Sequence, residues 1–216
     1  MKVIENLATI ERNIQQACER SKREEKQVKV IAVTKYVSVE RTKEAVEAGV
    51  THIGENRIEG LLEKRQYLGD KPIWHFIGTL QTRKVKDVVD RLSLAEEIQK
   101  RANQPINCFV QVNASGEESK HGLSPQDVIP FIREIQKLDR VHVVGLMTMA
   151  PFTEDEVTLR NCFRKLKTLQ QEVINLQIEN APCLELSMGM SNDYEIAIEE
   201  GATYIRIGTA LVGEDD

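Results

Sequence analysis

The residues best placed for chemistry in this chain of 216 lie at the ends of short apolar runs. Lys35 directly follows the run Val28-Lys29-Val30-Ile31-Ala32-Val33-Thr34, so its primary amine stands at a strand end, where it can condense with an aldehyde or ketone. Two later turns offer the means of holding a phosphate. Ser187-Met188-Gly189-Met190-Ser191-Asn192-Asp193 follows one apolar run and Gly208-Thr209 follows another, each combining glycine, a hydroxyl and the N–H groups that open a helix. Plain helix capping is the competing role for Ser191 and Thr209. Arg206 stands inside the run Tyr204-Ile205-Arg206-Ile207-Gly208, where a guanidinium needs an acceptor. A carboxylate such as Glu185 would make it a structural ion pair; the ring nitrogen of a pyridine cofactor would make it part of a site. Asn56, just after the second run, and His75, within the third, offer neutral hydrogen-bonding groups, although a strand histidine is commonly a satisfied core residue.

These residues must be positioned by a parallel α/β fold. Ile4, Leu7, Ile10, Ile14 and Ala17 recur at helical spacing and predict an N-terminal amphipathic helix to about Ser21. Thereafter seven short apolar runs alternate with segments of helical period, the pattern of parallel strands buried on both faces. Ser124-Pro125-Gln126-Asp127 and Thr153-Glu154-Asp155-Glu156 read as helix starts, and Gly49 and Gly201 as stops. The fold class expected is a TIM-type (β/α)8 barrel preceded by a helix, forming a single domain over residues 1–216, with its chemistry at the C-terminal ends of the strands. Such a barrel wants eight strands. Between Ile77 and Phe109, helical segments at 81–90 and 91–103 abut with no apolar run between them, so either the barrel closes differently there or one strand near residues 90–91 is missing.

Composition excludes several classes of function. The formal charge is −5, from 29 basic and 34 acidic residues, and the basic residues are interleaved with acids, so no nucleic-acid partner is expected. Cys18, Cys108, Cys162 and Cys183 are far apart and lack companion histidines, which predicts reduced, structural thiols and no metal site. No apolar run approaches the ~20 residues of a membrane span and no signal-peptide core follows Met1, so a cytoplasmic location is expected. Met147, Met149, Met188 and Met190 fall at strand ends, as core filling or as an adaptable wall beside a flat ring. Lys120, in the polar stretch 113–122, is a second amine at a strand mouth, a candidate to accept from Lys35 any aldehyde condensed there.

Lys35 in IAVTKYV, HIGEN at 52–56, WHFIGTL at 74–80, GLMTMA at 145–150, LSMGMSND at 186–193 and YIRIGT at 204–209 together resemble, in order and over the whole chain, the pyridoxal phosphate homeostasis proteins, the YggS/PROSC family. The resemblance implies a barrel similar to that of alanine racemase, with pyridoxal 5'-phosphate held as a Schiff base on Lys35. It further implies that Ser191, Gly208 and Thr209 hold the phosphate and that Arg206 faces the pyridine nitrogen; Asn56 and His75, by their places in the second and third runs, would complete the rim. An arginine opposite that nitrogen keeps it unprotonated and blunts the ring as an electron sink. The function expected from site and resemblance together is storage, buffering or delivery of the cofactor without catalysis, with pyridoxal-phosphate apo-enzymes as recipients; no apolar stripe stands out beyond the helical core faces, which predicts a monomer or weak dimer. A weak amino-acid racemase is the alternative, and a lysine aldolase acting on a sugar phosphate is a third reading.

Overall fold

Short apolar runs become parallel strands here because each is sealed by helices drawn from the segments between them. The computed structural model describes residues 3–78, 89–117 and 120–214. Helix α1 (Val3–Ser21) leads, through a 3-10 turn at Glu25–Gln27, into the alternation β1 (Lys29–Val33), α2 (Val39–Glu47), β2 (His52–Glu55), α3 (Ile58–Leu68) and β3 (Ile73–Phe76). It continues through α4 (Val89–Arg101), β4 (Ile106–Gln111), α5 (Pro125–Ile135), β5 (Val141–Met147), α6 (Glu156–Asn175), β6 (Glu185–Ser187), α7 (Tyr194–Glu199), β7 (Tyr204–Ile207) and α8 (Thr209–Val212). The seven described strands fall on the seven apolar runs. Residues 90 and 91, where the missing strand was located, lie in α4, and the helix expected over 81–90 falls mostly outside the described residues.

The chain divides into two compact units, one running through β3 and resuming at Gly189, the other from α4 to β6. In the first unit the strands pair in parallel in the order β3, β2, β1, β7. Lys29 lies opposite Tyr204, Ile31 opposite both Arg206 and His52, and Gly54 opposite His75. Because side chains alternate along a strand, these residues share one face, while Thr34, Glu55, Ile205 and Ile207 belong to the other, on which α3 lies beside β2. Helix α1 packs on α7 and α8 through Leu7, Ile10, Ile14, Ala17 and Cys18. Its first buried residue is Val3, four positions before Leu7; Ile4, expected on that stripe, is 60% exposed. In the second unit β4, β5 and β6 pair in parallel, covered by the apolar faces of α5 and α6 with Val128, Ile132, Phe163 and Leu166 fully buried.

Candidate functional site

Lys35 and Asn56 each stand two residues beyond the paired positions Val33 and Gly54, so the ends of β1 and β2 bring an amine and an amide to the same edge of the sheet. Lys35 is exposed, with Nζ 4.8 Å from the centroid of the Tyr36 ring. The side-chain oxygen of Asn56 is buried and, among the described residues, accepts no hydrogen bond. An amide oxygen left in that condition costs about 1–3 kcal/mol, a cost that a ligand with a hydroxyl or N–H removes. Asn56 is held there by its own backbone. A side chain at Gly78 would come within 2.0 Å of the Asn56 carbonyl oxygen, so only glycine lets the segment after β3 pass so close.

On the other flank of β1, Ile207 pairs with Ala32 and the chain turns at Gly208 into α8. A Cβ on Gly208 would meet nothing nearer than Val33 at 3.8 Å. No neighbouring atom excludes a side chain at 208, and its absence leaves the backbone there open to approach. The caps of the two short helices are Gly208 for α8 and Asp193 for α7, so Ser191 and Thr209 are not the capping residues. Ser191 is half-buried in the turn before α7, and Thr209, the first residue of α8, is exposed. The turn after β6 depends on Gly189, whose φ of +93° and 2.7 Å approach to Ala197 Cβ exclude a side chain.

Arg206 is 7% exposed on the same face as Ile31 and His52, and its backbone N–H donates to the Gly189 carbonyl oxygen at 3.0 Å. Burial lowers its pKa to about 10, opposed by the negative charge of Asp193, so the guanidinium is protonated at neutral pH. Asp193 is a residue of this candidate site that sequence reading did not single out: it stands at the N-terminal cap position of α7, its Oδ1 accepts the Met190 N–H at 2.6 Å, and its negative charge acts on Arg206. Its only signal was its place at the end of LSMGMSND. His75 pairs with Gly54, two residues before Asn56, and is not alone: Nε2 is 2.9 Å from Nδ1 of His52, and both rings contact Tyr204. Burial first, then the charges of His52 and Lys29, lower the His75 pKa to about 4, so it is a neutral hydrogen-bonding group near neutrality. Met188 is fully buried core, and the ammonium of Lys120 donates to the carbonyl oxygens of Met149 and Ala150 at 3.2 and 2.6 Å while pairing with Glu117 at 2.9 Å.

The first unit thus holds an exposed amine, a buried acceptor with no donor among the described residues, open glycine backbone and hydroxyls in the turns at Ser191 and Gly208-Thr209, and a buried cation. The sequence profile of the alanine racemase N-terminal domain family matches residues 6–216. A pyridoxal phosphate homeostasis protein of Aquifex aeolicus is 42% identical over 99% of this chain and 99% of its own length. The chain belongs to the pyridoxal phosphate homeostasis protein family. Among solved structures similar to it is PipY of Synechococcus elongatus with pyridoxal phosphate bound, with a TM-score of 0.78, 28% identity, and coverage of 98% of this chain and 100% of that one. Alanine racemase of Corynebacterium glutamicum shares the fold at 12% identity, with a TM-score of 0.72 over 98% of this chain and 62% of the racemase. The alanine-racemase-like α/β fold read from the sequence is therefore the fold of this homeostasis-family member. Among its described residues no helix is long and apolar enough to cross a membrane, and no group of three His, Cys, Asp or Glu side chains gathers as a metal site.

Proposed function

We propose that the protein binds pyridoxal 5'-phosphate and serves its homeostasis by storing, buffering or delivering it, with the cofactor's aldehyde held on the amine of Lys35. The observation that carries this reading is the buried, unsatisfied Asn56 oxygen at the strand end beside the one that presents Lys35. The residues fit the cofactor: a primary amine for an aldehyde, an acceptor for the ring hydroxyl, and hydroxyls with open backbone at Ser191, Gly208 and Thr209 for a phosphate. When bound, the cofactor supplies an electrophilic carbon and a ring able to withdraw electrons. Arg206, a donor only, would keep the ring nitrogen unprotonated, and neutral His75 would add no charge below the rim.

The family name borne by its relatives and the arginine together support holding the cofactor over exploiting it. The relative from Aquifex aeolicus is matched over 99% of its length, whereas the match covers only 62% of the racemase, so racemases carry a further part that this relative lacks. Racemisation of alanine that depends on Lys35 at ordinary enzymatic turnover would reverse this preference. Recipients would be pyridoxal-phosphate apo-enzymes in the cytoplasm, met by a monomer or weak dimer. Lys120 serves poorly as a relay amine, since its three oxygen partners would have to be given up first. The deciding experiment is the visible spectrum with added pyridoxal phosphate, followed by borohydride and peptide mass spectrometry. The reduced cofactor is expected on the peptide carrying Lys35, with no fixed band in Lys35→Ala. A colourless protein that gains no band would overturn the reading.

A further inference from the structure

Behind Lys35, on the helix side of the sheet, lies a buried ion pair. Lys64 of α3 is 6% exposed at its side chain; its Nζ donates to Glu55 Oε1 at 2.6 Å and to the Thr34 carbonyl oxygen at 2.5 Å. That carbonyl belongs to the peptide bond joining Thr34 to Lys35, and it also accepts the Val37 N–H at 3.1 Å, closing the turn that presents Lys35. Glu55 Oε1 accepts the Thr34 hydroxyl at 2.6 Å as well, and Glu55 immediately precedes Asn56. One ammonium is therefore bonded to the residue before Lys35 and to the residue before Asn56.

As a stabilising device this pair is a poor choice, because an apolar pair of similar volume commonly holds a fold as well as a buried salt bridge. What an apolar pair cannot reproduce is the hydrogen bond to the Thr34 carbonyl. We infer that Lys64 is a positioning residue for Lys35: with Glu55 and Thr34 it fixes the plane of the 34–35 peptide bond, and so the direction from which the Lys35 amine meets an aldehyde. The inference rests on the assignment of Lys35 as the cofactor lysine. Misplacing a reacting group by about 1 Å can cost roughly a hundredfold in rate even when the change lies away from the reacting atoms.

The test titrates the full-length protein with pyridoxal phosphate and with phosphate-free pyridoxal, following the Lys35-dependent visible band and its pH midpoint. The double variant Lys64→Met, Glu55→Gln removes both buried charges together, and Thr34→Val removes only the hydroxyl contact. The expected result is a double variant with wild-type circular dichroism, a shifted pH midpoint, and affinity lowered roughly tenfold or more for both aldehydes alike. Thr34→Val should move the same way by less, and it decides the matter if the double variant does not fold. Affinities and midpoints unchanged within twofold would overturn the inference while leaving Lys35 in place, as would a loss confined to the phosphorylated ligand, which would trace to the phosphate cradle. A wild-type protein with no Lys35-dependent band would instead overturn the underlying assignment.

Discussion

His75 and Arg206 share one face of the sheet, and burial pushes both toward the neutral form, His75 to about 4 and Arg206 to about 10. For His75 this is also a statement about stability. An unfolded histidine titrates near 6.5, so between pH 6.5 and 4 the unfolded chain binds more protons than the folded one, and stability rises with pH. The contribution is fully present above pH 6.5 and is lost as the pH falls toward 4, by about 3 kcal/mol in all. Urea midpoints at pH 7 and pH 4.5 should therefore separate widely in the wild type, and the separation should shrink in His75→Gln, which keeps hydrogen-bonding groups and removes the titration. The type of each rim residue was legible from its place at a strand end. The His52 partner of His75 was not, because a pairing across two strands depends on register and leaves no mark in either strand alone.

Among the elements, all seven apolar runs became strands, since a short continuous run between helical segments has few other ways to be buried. Helix boundaries were less faithfully written. Ser124 stands at the N-terminal cap position of α5, before Pro125 in the first turn, but the Ser124 hydroxyl donates to the Asp127 carboxylate and accepts no helix N–H. Helix α6, read as starting at Thr153, is capped two residues later by Asp155, whose carboxylate accepts the N–H groups of Val157 and Thr158. The Thr158 hydroxyl, together with those N–H groups, holds that carboxyl below its ordinary range. Both residues are good capping types, and sequence could not choose between them. Asp155→Ala should lower the melting temperature by roughly 2–4 °C, and Thr153→Ala by distinctly less, in a thermal scan. Lys64 was illegible for a related reason: in a helix with so many charged neighbours it reads as solvated, and only the docking of α3 on β2 buries it.

Across the molecule the four cysteines are reduced, as their spacing suggested, and they are poorly reactive for a reason that spacing does not contain. Cys18, Cys162 and Cys183 are buried, and burial raises the Cys183 thiol to about 12 and that of half-buried Cys108 to about 11. A disulfide exchange reagent should therefore find at most one thiol, Cys108, at an appreciable rate in the native protein at pH 8, and all four after denaturation. Rapid reaction of more than one would show that the cores of the two units open readily. By itself the sequence determined the strand–helix alternation, the family and the candidate residues Lys35, Asn56, His75, Ser191, Arg206, Gly208 and Thr209, because apolar periodicity and ordered motifs are properties of the chain read locally. Tertiary structure alone decided that the buried Asn56 oxygen finds no donor among the described residues, that the Asp193 carboxylate acts on the charge of Arg206, and that Lys64 grips the peptide bond before Lys35. Each of those is a relation between side chains or backbone groups on different elements, fixed by strand register and helix docking, and no stretch of sequence states it.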